Sequence, residues 1–298
     1  MNTRTEDRPT GGEVGLTIPP LNQLGQVVQV LRDWQTDDAA WQLHPGDIGW
    51  FWRNGAEATA GAVRAWTKDG TIVAVGLLDG SSLLRLTTAP AVRHDDHLAR
   101  RLVADISDPD MGVLPPGRVA VEAPADAALQ LLLTEDGWAT GEAFTPLHRD
   151  LGDEVEDPGI RVQVVTASEA EDWARVLRSA FGTLSPTRDR WQAMSGSFGY
   201  DHAVCLLGYD GEDPAAAVCV WSAGPGRPGL IEPMGVHESF RGRGLGRAIT
   251  VSAAAALRAM GSSSAKVYTQ SSNVGGIATY QGAGFTALAP VRDRLRCT

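Results

Sequence analysis

The stretch Arg241-Gly242-Arg243-Gly244-Leu245-Gly246-Arg247 constrains this chain more than any other. It lies between a strand-like run, Leu230 to Val236, and a strongly helical one, Ala248 to Met260, so its glycines fall where a loop becomes a helix N-terminus. The first turn of a helix has unpaired N–H groups, and the helix dipole adds partial positive charge there. Three glycines remove the Cβ atoms that would hold a bulky anion away, and three arginines add fixed charge. A diphosphate is the expected guest.

Spacing decides which diphosphate carrier fits. A dinucleotide fingerprint needs G-x-G-x-x-G and an acidic residue about 20 positions later, whereas the order here is R-G-R-G-L-G with no such acid before Gly261. A P-loop fails because no Gly-Lys-Ser/Thr follows. Arg241, Gly244 and Gly246 match the R/Q-x-x-G-x-G/A signature, and the chain resembles the GNAT superfamily of acyl-CoA-dependent N-acyltransferases. The flanks resemble it too: strand Lys266 to Thr269, then Asn273, then helix Val274 to Gln281 ending in Tyr280-x-x-x-Gly284-Phe285. Gly276 stands where that pattern has alanine. The resemblance covers about residues 160 to 298.

What the resemblance implies is an α/β fold with a mixed, mostly antiparallel twisted sheet flanked by helices, and acetyl-CoA as cosubstrate without a metal. The donor would contact Met234, Gly235 and Val236 on the motif strand, the loop residues Arg241, Gly242, Arg243, Gly244, Leu245, Gly246 and Arg247, then Asn273 and Tyr280. A backbone N–H near Val236 would polarise the thioester carbonyl, and Pro233 and Gly235 suit a bulged strand there. Glu232 resembles the carboxylate that deprotonates the amine, directly or through water. Its alternative is an ion pair with an arginine. Tyr280 resembles the general acid that protonates the leaving sulfur, its alternative being a core ring beneath Phe285. Asn273 either bonds the pantetheine arm or caps the following helix. His237 stands beside the bulge as a further candidate base or a solvated loop residue.

At 298 residues the length is that of two domains. Alongside the second-half motif, Leu84 to Pro90, a helix over 97–106, strand Arg118 to Glu122, a helix over 126–133 and Gly137-Trp138 repeat the order strand, helix, strand, helix, Gly-aromatic. Yet the loop position reads Val92-Arg93-His94-Asp95-Asp96, and Leu133 stands where the second copy has Tyr280. The expected organisation is therefore a disordered tail over 1–14, a degenerate GNAT-like domain over 15–150 that shapes the cleft, a linker over 151–159 and the catalytic domain over 160–298. Within the first half, a helix is expected over 21–34 and a meander over 62–67, 71–78 and 82–88. Trp41, Trp50, Phe51 and Trp52 wall a cleft or pack in the core. In the second, Ser168 and Glu171 have the spacing of a capping box for a helix to Phe181, and a short helix over 187–194 should cover the cleft.

Charge and composition restrict the partners. The first 150 residues carry a net charge of −9 and the remainder −1, so no basic stripe for nucleic acid exists and a cationic small amine is favoured as acceptor. No apolar run approaches the ~20 residues of a membrane span. Three cysteines without CxxC spacing indicate neither a disulfide framework nor a zinc site and point to the cytoplasm. A monomer or homodimer is expected.

Overall fold

The computed structural model describes residues 12–182 and 186–297; residues 1–11, where most of the expected tail lies, fall outside the description. The remainder of that tail contradicts the expectation of disorder at Val14, which opens β1 (Val14–Thr17). The first half continues through α1 (Leu24–Asp33), α2 (Pro45–Phe51), α3 (Ala56–Ala62), β2 (Val63–Lys68), β3 (Thr71–Leu78), β4 (Leu83–Thr88), α4 (Asp96–Ser107), β5 (Val119–Glu122), α5 (Ala128–Glu135) and β6 (Ala139–Asp150). The second comprises β7 (Val162–Val164), α6 (Ala170–Phe181), α7 (Arg188–Ser195), β8 (Ala203–Asp210), β9 (Asp213–Ser222), β10 (Gly229–Val236), α8 (Leu245–Ala259), β11 (Ser264–Gln270), α9 (Val274–Gly282), β12 (Thr286–Ala287) and β13 (Val291–Arg296).

The described strands form one mixed, mostly antiparallel sheet in the order β1-β2-β3-β4-β5-β13-β6-β11-β10-β9-β8-β7, with β12 also on β6. This order reads as two copies facing each other. Each copy is a meander followed by one parallel pairing, β4 with β5 and β10 with β11. The meander turns form where the sequence permits them: Asp69 and Gly70 both have positive φ, 51° and 76°, which matches the twist of a two-residue hairpin. At the centre the copies exchange strands. β6 from the first half pairs along β11 of the second, while β13 from the end of the chain pairs with β5 and β6. The sheet thus crosses the 151–159 segment in both directions.

Helices cover both faces of each half, giving separate apolar clusters on either side of the sheet. In the second half, Leu245, Ile249, Ala253 and Leu257 of α8 are buried on one face, and Trp173, Ala174 and Leu177 of α6 on the other. α2 belongs to the first half in sequence but packs on β9 and β10, because Gly46 and Gly49 let it lie against Trp221, where a Cβ would come within 2.5 and 2.3 Å of that side chain. α6 begins differently from the Ser168–Glu171 expectation. Glu169 is its N-cap, and the Glu169 carboxylate reaches back to the N–H (2.9 Å) and hydroxyl (2.6 Å) of Thr166. α7 packs on α6, α2 and the turn after α2 rather than over the cleft. No helix among the described residues is long and apolar enough to cross a membrane.

Candidate active site

The motif strand β10 pairs with β11 only at Gly229 and Leu230, and beyond that the two diverge. On its other side β10 stays on β9, with a shift of register between Ile231 and Met234 that places Glu232 and Pro233 in a bulge. The Trp221 indole N–H donates to the Glu232 carbonyl at 2.8 Å and fixes this bulge. The His237 N–H bonds to Ala215 on β9. Strand alternation then turns the N–H groups of Met234 and Val236 the opposite way, into the gap.

A cleft of about 1150 Å³ opens through this gap. Glu232, Met234, Gly235 and Val236 line it from β10, then Arg241, Gly242, Gly244, Leu245, Gly246 and Arg247 from the loop and α8, with Asn273 and Tyr280 beyond them. Of the donor contacts and the acid and base picked from the sequence, Arg243 is absent from the lining. Its guanidinium pairs with Asp210 at 2.7 Å and lies over the Phe240 ring. Arg241 lines the cleft while donating to the Ala180 carbonyl (2.9 Å), and Arg247 while donating to that of Gly282 (2.8 Å). His237 is outside the lining, its Nδ1 accepting from the Ser239 N–H.

The helix N-terminus suits an anion. Gly242 and Gly244 have φ of 78° and 81°, where side chains are strained, and a Cβ on either would project into open space. α8 carries no side-chain cap, so its first N–H groups remain available. The matching helix of the first half is closed: Asp95 Oδ1 accepts from the N–H groups of His97 (2.8 Å) and Leu98 (3.1 Å) at the start of α4. Beside it Gln42 Oε1 accepts from Thr87 (2.9 Å) and Arg93 (2.7 Å). One donor should therefore bind per chain. Calorimetric titration should give a stoichiometry of one, and two equivalent sites would refute the assignment of a closed first copy.

Asn273 caps α9, accepting from the Gly276 N–H at 3.0 Å, while its amide donates to Thr269 (3.0 Å). This explains the glycine at 276, since a Cβ there would come within 2.4 Å of the Asn273 amide. The capping reading of Asn273 is what the structure shows, and the same residue also lines the cleft. Tyr280 likewise does two things: it is 7% exposed, packs 6.0 Å from the Phe285 ring, and faces the cleft. Burial, reinforced by the charge of Glu232, raises its phenol pKa above the ordinary value. Burial also raises the pKa of Glu232, opposed by the positive charge of Arg85.

The first half supplies what sequence reasoning missed. Arg53, Asp79, Arg85 and Phe144 all line the cleft, beside Trp50, for which a cleft wall was one of the two sequence readings. Arg85 bonds to Asp79 and Glu122 at 3.0 Å each, and the charges of Glu232 and Asp47 also act on it. Asp47 is buried and its pKa is raised for that reason. Asp293, on the exchanged β13, is pushed up to about 7 by burial and by Glu122. Of the four aromatics in 41–52, Trp50 lines the cleft, Trp52 is buried against Phe198, and Trp41 stacks on Tyr268. A carboxylate next to an arginine in a meander carries no local signature, so no motif could have singled these residues out.

Residues 169–285 match the model of the acetyltransferase (GNAT) family. A mycothiol acetyltransferase of Beutenbergia cavernae is 27% identical over 235 residues, covering 74% of this chain and 78% of that protein. Among solved structures, a tandem GNAT protein from the clavulanic acid biosynthesis pathway superposes with a TM-score of 0.62 at 14% identity, over 95% of this chain and 98% of the other. A GCN5-related N-acetyltransferase from Sphaerobacter thermophilus gives 0.60 at 18% identity, over 95% of each chain. Residues 169–285 therefore carry the domain of the acetyltransferase (GNAT) family, and the chain as a whole has the fold of the solved tandem GNAT protein.

Proposed function

We propose that the protein transfers the acetyl group of acetyl-CoA to a primary amine of a small cationic molecule. The observation that carries this reading is the meeting, in one cleft at the split between β10 and β11, of an uncapped glycine-rich helix N-terminus with Glu232 and Tyr280. The pyrophosphate would sit on the N–H groups after Gly244, and the thioester carbonyl would be polarised by an N–H of the bulged strand. Glu232 accepts a proton from the bound ammonium before attack, or from the neutral amine as it adds to the carbonyl carbon. No other described side chain hydrogen-bonds the Glu232 carboxylate, which leaves it available. The C–S bond then breaks, and Tyr280 hands its phenolic proton to the departing sulfur.

Support for a cationic acceptor comes from Asp79 and Glu232 at the cleft, with Glu122, Asp47 and Asp293 in the same charge network. The test is CoA release with acetyl-CoA and a panel of amines. Cationic amines should be turned over, and their KM should rise with salt, since exposed charges are screened beyond about 8 Å at physiological ionic strength. Equal turnover of neutral and cationic acceptors without a salt effect would remove the charge argument. A second reading takes the acceptor to be that of the Beutenbergia mycothiol acetyltransferase, on the strength of the 27% identity, and including that acceptor in the panel separates the two.

A further inference from the structure

One wall of the cleft is made of rings. Tyr268 of β11 is sandwiched, with Trp41 at 4.3 Å and 9° on one side and Phe144 at 5.0 Å and 6° on the other. Phe144 stands opposite Gln270 and Tyr268 opposite Pro146, so the two rings are diagonal neighbours on one face of the β6–β11 pair, within reach of each other. Tyr268 and Phe144 both line the cleft, and Trp50 joins them from α2 with the Arg53 guanidinium 4.1 Å from its ring centroid. Because Tyr268 is covered on both sides, Phe144 ends the stack. It is half-buried, and no further ring pairs with it among the described residues.

Carboxylates share the cleft with these rings, Asp79 from the first half, paired with Arg85, and Glu232 from the motif strand, whose carboxylate has no side-chain hydrogen bond among the described residues. A wall of flat apolar surface next to anions matches a molecule with a flat apolar body and an ammonium. It suits a polyhydroxylated amine less well, because hydroxyls laid against the Phe144 and Trp50 rings would lose water there without a hydrogen bond from those rings. We propose that the acceptor is an arylalkylamine, its ring laid on Phe144 as the next member of the Trp41–Tyr268–Phe144 stack and its amine reaching Glu232. This rests on the reading of the site as an amine acetyltransferase. Offset stacking with ring centroids 4.5–7 Å apart, the ordinary range for aromatic pairs, supplies the recognition. The first half thereby contributes specificity, through Phe144, Trp50 and Asp79.

The experiment compares kcat/KM of the full-length protein with acetyl-CoA for 2-phenylethylamine, n-butylamine and glucosamine. The ring-bearing amine should exceed n-butylamine by about tenfold or more, with glucosamine below both. Phe144→Leu should shrink that ratio to about threefold or less, and retained acetyl-CoA affinity would show that the variant is folded. A wild-type ratio near one, glucosamine as the best acceptor, or a ratio unchanged in Phe144→Leu would overturn the proposal. Acetylation of all three amines alike leaves the amine-transfer reading standing and removes only the arylalkyl one. Failure of every amine in the wider panel, with acetyl-CoA bound, removes both.

Discussion

Replacing Tyr280 with phenylalanine lowers kcat by roughly 10²- to 10⁴-fold and leaves acetyl-CoA affinity nearly unchanged, the usual size of a lost general acid. The hydroxyl matters once charge develops on sulfur, so its removal is felt in the transition state and little in the ground state. Stability should hardly change. The ring keeps its packing on Phe285, and no side-chain hydrogen bond of the Tyr280 hydroxyl within the described residues is lost. The raised pKa keeps Tyr280 protonated in the resting site, as an acid must be, but makes proton delivery uphill from a phenol to a thiolate of ordinary pKa about 8.5. Proton transfer must therefore come late and along a short hydrogen bond. Glu232→Gln is the complement. A base of raised pKa is lost to protonation as pH falls through that pKa, so the wild-type rate should drop there. The Gln variant should be weakest at low pH, where few amines are neutral, and recover partly as pH rises. A Tyr280→Phe enzyme with normal kcat, in single-turnover as well as steady-state rates, would reassign the acid.

Gly244→Val should weaken acetyl-CoA binding by about 100-fold or more, equivalent to roughly 2.7 kcal/mol. Two effects act together. The φ of 81° is strained for any side chain and more so for a branched one, at about 1–3 kcal/mol. The new methyl groups would also project into the open space over the uncapped start of α8, where the pyrophosphate is placed. Nothing packed is displaced, since no atom lies within 4 Å of the ideal Cβ, so the domain should remain folded with a modestly lower melting temperature. Calorimetry at matched folded fraction is the measurement. Undiminished affinity would show that the phosphates bind elsewhere.

The motif half of the molecule was legible because its chemistry and its local geometry coincide. Gly244 has a positive φ and opens onto the cleft at the start of α8, and the strand and helix on either side have clear apolar periods. The meander was legible through its turns, which lie within a residue of their expected places. Three elements were not. α2 reads as Pro-Gly-Asp-Ile-Gly, a composition of loops, and it is helical because His44 caps it and because its glycines fit an indole from the other half. β6 and β13 show no strict alternation, since each is flanked on both sides by strands from the opposite copy rather than by its own hairpin. Arg243 was misplaced because the sequence records a positive charge near the loop but not the carboxylate of Asp210 that turns it away. The wall from Trp50, Asp79 and Phe144 depends on residues that precede Arg241 by 97 positions or more.

The exchange of β6 and β13 changes what counts as a module in this chain. Cutting and rejoining at 151–159, where composition places the boundary, would graft a foreign strand into the middle of each sheet, because β6 lies on β11 and β13 lies on β5. By strand pairing the sheet divides instead into 12–138 with 291–297, and 139–290, the first discontinuous in sequence and the second spanning the linker. Residue 144 travels with the donor-binding unit by this division, whereas Trp50, Arg53, Asp79 and Arg85 travel with the other. A chimaera that swaps acceptor preference between two such proteins therefore has its crossovers just before β6 and just before β13, and it must carry Phe144 across as a separate substitution.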